Sequence, residues 1–184
     1  MKSQLCSAFH RTPAVKNKNI NQSYGIIQVM FDPEIKLVDL GITLPPAPGP
    51  AAKYVDCVIV NNILTMSGKG PCAENGIISC GKIGSDFTKD EGYLFAKRVG
   101  INMLATLKEQ LGSLNKIERV IQIQGIINAD PNFTEHHLVL NGLSDLLIEV
   151  FGDNGKHARS VLGANSLRDN LPIIATGSFL IRPE

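Results

Sequence analysis

The chain has no tryptophan, and aromatic residues make up only 5% of its 184 residues. Proteins that hold single-stranded nucleic acid use aromatic side chains for base stacking and a basic groove that follows the backbone. The formal net charge is only +1, and the Lys and Arg residues are scattered along the chain. We therefore expect no nucleic acid as the principal partner.

Cysteine is also scarce, and its spacing does not match metal or redox motifs. The four cysteines form no C-x-x-C pair and have no histidine cluster nearby: Cys6, Cys57, Cys72 and Cys80. We expect no metal and no cofactor, and reduced thiols with Cys57 in the core, because Cys57 lies in an apolar run. No apolar run has the length needed to cross a bilayer. These features predict a cytoplasmic protein without a membrane partner.

Acidic residues are absent from the first 31 positions, where four basic residues occur: Lys2, Arg11, Lys16 and Lys18. Asn, Gln and Ser are frequent in the same stretch, and such a composition rarely packs by itself. We expect residues 1–31 to be a basic, disordered extension before one domain at residues 32–184. Two alternatives are open: an organellar transit peptide, which would change the localisation, and a natural start at Met30.

Hydrophobic periodicity predicts two long helices in the domain. Thr88 and Glu91 form a capping-box pattern at the start of the first helix, and Gly112 follows its last apolar residue. The second helix is expected from about Thr134 to Phe151, since apolar residues recur there at helical spacing. A shorter helix is expected from Phe31 to Leu40, followed by an extended proline-rich connector at residues 44–50.

Short β-prone runs account for most of the remaining domain. The strand pattern at Tyr54–Val60 returns as Ile63–Ser67 after a tight Asn61-Asn62 turn. Further strands are expected at residues 77–79, 118–127, around Arg159, and at 171–181. This order predicts an α+β fold in which one mixed sheet carries both long helices on one face. Apolar residues on both faces of the strands predict that oligomerisation covers the other face.

Arg159 lies inside a predicted strand near the end of the chain, and its charge is permanent. The planar guanidinium suits a carboxylate, which it can hold with two parallel hydrogen bonds. The residues alone leave two interpretations. An edge-strand arginine whose stem covers apolar surface and whose head lies in water is the commoner one, and a ligand-binding arginine is the other.

Four segments occur in order along the domain: the proline-rich stretch 44–54, Met66-Ser67-Gly68, residues 133–151 with Asn141-Gly142, and His157-Ala158-Arg159-Ser160. Together they resemble the RidA (YjgF) family of reactive-intermediate deaminases, and more closely its subgroup with a proline-rich lead-in and an HARS segment. The resemblance covers about residues 32–184. It implies a chorismate-mutase-like α+β fold, a homotrimer with three clefts between subunits, and hydrolysis of enamine or imine intermediates derived from amino acids.

The resemblance also implies roles for single residues. Arg159 matches the arginine that binds the substrate carboxylate, and the other matched residues line or shape the same cleft: Tyr54, Ser67, Gly68 and Asn141. His157 lies two positions before Arg159 in the strand pattern, so both side chains should point to the same side. It is therefore a further candidate for substrate binding, although a strand histidine is more often hydrogen-bonded structure.

One position departs from the deaminating members of the family. They carry a glutamate on the last strand for water and proton transfer, and alignment places Thr176 there. A threonine hydroxyl cannot accept a proton from water near neutral pH, and shifting the alignment by two residues gives Ile174, which is also not acidic. The usual Leu-Pro before that strand is Leu167-Arg168 here. Carboxylate binding would survive these changes, whereas imine hydrolysis is in doubt.

Two functions therefore stand side by side. In the first, Arg159 fixes the carboxylate of an imine or enamine while water, assisted by Thr176 as the second catalytic candidate, releases ammonia and a 2-oxo acid. In the second, the protein is a non-catalytic trimeric binder or sensor of small carboxylates that uses the same arginine. A ribonuclease or translation-inhibitor function, sometimes attached to the family, has little support in this composition.

Overall fold

The computed structural model describes residues 31–183. The predicted extension at residues 1–31, with Cys6 and Met30, lies outside the described residues except for Phe31. The helices are α1 (Pro33–Asp39), α2 (Lys89–Leu111) and α3 (His136–Phe151). The strands are β1 (Cys57–Val60), β2 (Ile63–Lys69), β3 (Ile117–Asn128), β4 (Ala158–Ala164) and β5 (Ile173–Ile181). Short 3-10 turns occupy residues 114–116, 152–155 and 168–170.

The five strands form one mixed sheet in the order β1-β2-β5-β3-β4. Only β3 and β4 run parallel, and α3 is the crossover that joins them. Every other pair is antiparallel. Both long helices share one hydrophobic core with the inward residues of the sheet, among them Leu64, Ile123 and Phe179. The predicted α+β fold, with the long helices on one face, is confirmed.

The predicted ends of α2 are confirmed by its caps. The Thr88 hydroxyl accepts a hydrogen bond from the Glu91 amide at 3.2 Å, and the Glu91 carboxylate accepts one from the Thr88 amide at 2.8 Å. Gly112 ends the helix with a left-handed φ of 78°. The third helix begins at His136, two residues after the predicted start, and no side chain caps it. The short helix expected within residues 31–40 is α1.

The hairpin prediction is confirmed, and one strand prediction is wrong. Asn61 adopts the left-handed φ of 53° that a tight turn between β1 and β2 requires. The segment 77–79 forms no strand, because Ile77 pairs only with Glu74 across a turn whose central residues, Asn75 and Gly76, both have positive φ. An apolar run that finds no neighbouring strand cannot form a ladder.

The face of the sheet away from the helices is open in the single chain and carries apolar side chains among polar ones such as Gln122 and Gln124. Its side chains alternate with the core residues along each strand, and several are exposed: Val58, Val60, Ile63 and Leu162. Val58, Val60 and Ile63 adjoin one another on β1 and β2, and exposed apolar residues grouped in this way are typical of an interaction site. Oligomerisation through this face stays a prediction.

Cys57, which the sequence placed in the core, is half-buried on β1 and packs against the core. Burial raises the pKa of its thiol to about 11. Because only the thiolate reacts, Cys57 is almost entirely in the unreactive thiol form at pH 8. A thiol reagent at pH 8 should therefore modify the exposed Cys80 well before Cys57, as timed peptide mass spectrometry can measure. Equal rates at the two cysteines would contradict this burial.

Candidate functional site

Arg159 lies on the edge strand β4 and points toward α3. Its register neighbour on β3 is Ile123, which is buried on the helix side of the sheet. One terminal nitrogen of Arg159 donates to the Ser144 hydroxyl at 3.1 Å, and the other donates to the His137 carbonyl at 3.4 Å. Within residues 31–183, no Asp or Glu forms an ion pair with Arg159. The guanidinium is exposed and keeps unused N–H donors.

His157 meets Arg159 at the same serine. The Ser144 hydroxyl lies 3.2 Å from His157 Nε2, and His157 Nδ1 lies 2.6 Å from the Gly155 carbonyl. A carbonyl can only accept, so Nδ1 carries the hydrogen and Nε2 of the neutral ring accepts from the serine. Burial first, and then the charge of Arg159, lowers the pKa of His157, while the Gly155 carbonyl opposes this shift. The neutral ring is therefore favoured.

Tyr54, Ser67 and Gly68 lie together at the β1–β2 side of the sheet. The Tyr54 hydroxyl accepts from the Ala51 amide at 3.2 Å, and the Ser67 hydroxyl donates to the Val55 carbonyl at 2.7 Å. Tyr54 and Gly68 line a groove of about 340 Å³. The bond from Ser67 to Val55 holds the segment before β1 against β2. Tyr54 and Gly68 form one wall of the groove.

A partly buried ion pair lies at the wall of this groove. Lys69, only 5% exposed, pairs with Asp56 and also donates to the Pro48 carbonyl at 3.4 Å. The ammonium thereby fastens the proline-rich connector to β2. The sequence singles out neither residue, because an ion pair between residues 13 positions apart has no local pattern.

Asn141 and Thr176 lie elsewhere. Asn141, on α3, lines a separate groove of about 450 Å³ with Tyr93 and Leu94 of α2. Thr176, on β5, pairs with Gln124 of β3 on the open face and donates its hydroxyl hydrogen to the Met66 carbonyl. Its side chain is thus on the opposite face of the sheet from that of Arg159.

The predicted site residues therefore occupy four places in one chain. His157 and Arg159 come together at the β4 edge, whereas Tyr54, Ser67 and Gly68 lie at the other side of the sheet. Three strand spacings separate β2 from β4, or about 14 Å. Ser144 was missed, although a polar residue inside the apolar stripe of a buried helix is a signal that could have found it.

A family model described as "YjgF/chorismate_mutase-like, putative endoribonuclease" matches residues 34–174. The chain belongs to the YjgF/RidA family. The resemblance seen in the sequence is thereby confirmed at the level of the family, and so is the chorismate-mutase-like fold. The subgroup with the HARS segment stays a prediction.

Individual relatives agree with this membership. Protein TCP17 of Trypanosoma cruzi is 36% identical over 129 residues, which cover 70% of this chain and 81% of TCP17. The crystal structure of protein Atu1372 from Agrobacterium tumefaciens is 37% identical with a TM-score of 0.75, covering 82% of this chain and 92% of that one. A structure from Shewanella oneidensis is 30% identical with a TM-score of 0.79, covering 82% and 99% of the two chains.

Within residues 31–183, no group of three or more His, Cys, Asp or Glu side chains is arranged to hold a metal ion. No helix in the same range is long and apolar enough to cross a membrane.

Proposed function

We propose that this YjgF/RidA-family protein binds small carboxylate metabolites, such as 2-oxo acids, in clefts between the subunits of a homotrimer. Arg159 is the group that holds the carboxylate. The observation that carries this proposal is a guanidinium on an exposed strand edge with no acidic partner in residues 31–183 and with donors to spare. A charge so placed attracts an anion, and its planar fork favours a carboxylate.

The strand order supports a cleft between subunits rather than within one. Arg159 is on the β4 edge, and the wall formed by Tyr54, Ser67 and Gly68 is at the β1–β2 side. Two such surfaces meet only when the β4 edge of one subunit faces the β1–β2 side of the next. Repetition of this head-to-tail contact with a closing rotation would give a ring, and the family resemblance supports a ring of three subunits. The exposed apolar residues of the open face would be covered inside such a ring.

Hydrolysis of enamine or imine intermediates is the second candidate, favoured by membership of the family. The reaction adds water to the C=N carbon and releases ammonia and a 2-oxo acid, so it needs a group that moves protons. Thr176 replaces the family glutamate, and its hydrogen is given to the Met66 carbonyl. We therefore place binding first. The family's description also names an endoribonuclease. A net charge of +1 and only 5% aromatic residues give little support for that activity in this chain.

Substitution of Arg159 tests the binding proposal directly. Calorimetric titration with pyruvate should detect binding to the wild type and, for Arg159→Ala, a loss of about 100-fold or more in affinity, because hydrogen bonds to a charged group are among the strong ones. Arg159→Lys keeps the charge without the fork and should bind about tenfold more weakly than the wild type. The matched control is Arg182→Ala, which removes an equal charge from an exposed position after β5. Unchanged binding by Arg159→Ala would contradict the proposal.

An activity assay separates the two candidates. The wild type and Arg159→Ala are mixed with a freshly generated 2-aminoacrylate-type imine, and ammonia release is followed against buffer. Release at the buffer rate, together with pyruvate binding through Arg159, would establish the binder. Acceleration that disappears in Arg159→Ala would establish the hydrolase and show that water is activated without the family glutamate.

A further inference from the structure

We infer that Ser144 and His157 are positioning residues: they hold the Arg159 guanidinium in the orientation that receives a carboxylate. This inference rests on the proposed function, because it explains how the binding group is prepared for its ligand. Neither residue needs to touch the ligand. They form a chain of hydrogen bonds from the Gly155 carbonyl through His157 and Ser144 to Arg159.

The chain starts at a backbone carbonyl that cannot move easily. Gly155 packs so closely on α3 that a Cβ there would lie 2.2 Å from the Leu147 carbonyl oxygen. The segment before β4 is therefore fixed against the helix. Its carbonyl takes the Nδ1 hydrogen of His157 and so selects the tautomer that presents a lone pair at Nε2.

Ser144 connects His157 to Arg159 through its hydroxyl group. A hydroxyl has one hydrogen, and the one on Ser144 goes to His157 Nε2, which leaves its lone pairs for Arg159. Ser144 is 7% exposed, so water competes little for this bond. The low pKa of His157, caused by its burial and then by Arg159, keeps the ring in the neutral form that accepts.

A second anchor holds the other arm of the guanidinium. The His137 carbonyl accepts from the second terminal nitrogen at 3.4 Å. His137 and Ser144 lie seven residues, or about two turns, apart, and therefore on the same face of α3. The helix thus takes one hydrogen from each terminal nitrogen, and three of the five guanidinium donors remain for a ligand. An arginine side chain held in this way loses less conformational entropy when a ligand binds to it.

Removal of the serine hydroxyl tests the inference. In the full-length protein, Ser144→Ala should weaken pyruvate binding about three- to tenfold, which is the usual range for the loss of one hydrogen bond that supports a charged group. The Arg159 Nε–H resonance, followed by ¹⁵N relaxation without ligand, should show faster motion than in the wild type. The matched control is Thr106→Val, which deletes another buried helix hydroxyl, one that donates to the Asn102 carbonyl of its own helix. Its affinity should stay unchanged.

Conservative rescue separates positioning from plain packing. His157→Gln keeps an acceptor at the Nε2 position and should bind within about twofold of wild type, whereas His157→Phe keeps the ring volume and should match Ser144→Ala. A glutamine variant as weak as the phenylalanine variant would overturn the role of the acceptor. If His157→Phe does not fold, Ser144→Ala, His157→Gln and the relaxation measurement decide the question.

The outcomes also distinguish this inference from the proposal beneath it. If Ser144→Ala and His157→Phe bind pyruvate as the wild type does while Arg159→Ala does not, the positioning role is wrong and carboxylate binding stands. If Arg159→Ala also binds, the proposed function itself fails. Unaltered Arg159 motion in Ser144→Ala would overturn the positioning role whether or not pyruvate binds.

Discussion

Replacing Gly142 by alanine should lower the free energy of unfolding by about 3 kcal/mol, at the upper end of the range for overpacked cores. Gly142 lies on α3 where the helix crosses α2. A Cβ at this position would lie 2.0 Å from the Tyr93 carbonyl oxygen and 3.1 Å from the Lys97 amide nitrogen. Both atoms belong to the backbone of α2, so the two helices would have to move apart. Urea denaturation should show a lower midpoint for Gly142→Ala.

Gly100 provides the matched control on the other helix of the same pair. A Cβ there would lie 2.8 Å from the end of the Leu146 side chain, which can change its rotamer. Alanine also favours the helix by about 1 kcal/mol relative to glycine. Gly100→Ala should therefore change the free energy of unfolding by less than 1 kcal/mol or so. Similar decreases in the free energy of unfolding for the two variants would show that the close backbone contact at Gly142 does not determine how α2 and α3 pack.

The elements that the sequence predicted correctly are those decided by near neighbours in the chain. The start of α2 depends on Thr88 and Glu91, which bond to each other across three residues. The β1–β2 turn depends on the ability of Asn61 to adopt positive φ. Such interactions form in a short peptide segment, so the pattern of residue types is enough to predict them.

The arrangement of the candidate site depends on contacts that the local pattern does not contain. Thr176 donates to Met66, which is 110 positions away, and nothing near Thr176 indicates that its hydroxyl is occupied. The side to which Arg159 points follows from its register with Ile123. The wrong strand prediction at 77–79 has the same cause, since the run is β-prone but has no neighbouring strand. The cleft also depends on how subunits associate, which lies outside any single chain.

The turn before β5, Arg168–Asn170, has a strained backbone. Asp169 and Asn170 are consecutive and both left-handed, with φ of 53° and 51°. Non-glycine residues in this region persist only where surrounding contacts hold them. The Asn170 carbonyl accepts from the Gly81 amide at 2.7 Å, and its side-chain oxygen accepts from Asn128 at 2.8 Å. The turn is thus tied to β3 and to the segment before α2.

Asn128 is the centre of this network. It is fully buried at the end of β3. Its amide nitrogen donates to the Gly81 carbonyl at 3.3 Å as well as to Asn170, and its amide oxygen accepts from the Lys82 ammonium at 3.0 Å. One side chain therefore satisfies three groups in two other segments, Gly81 and Lys82 before α2 and Asn170 before β5. Sequence reading gave no reason to single it out.

Asn128→Ala should lower the free energy of unfolding by about 3 kcal/mol, because a buried carbonyl, a strained turn and part of an ammonium shell lose their partner together. Guanidinium or urea denaturation measures the loss. Asn165→Ala is the matched control: its exposed side chain is removed while its backbone carbonyl, which accepts from Lys82, remains. The control should stay within about 0.5 kcal/mol of the wild type. An equally small decrease in the free energy of unfolding for Asn128→Ala would contradict this role of Asn128. Water would then replace the side-chain amide at no cost in stability, and the Gly81–Asn170 hydrogen bond and the Arg168–Asp169 ion pair would suffice to hold the left-handed turn.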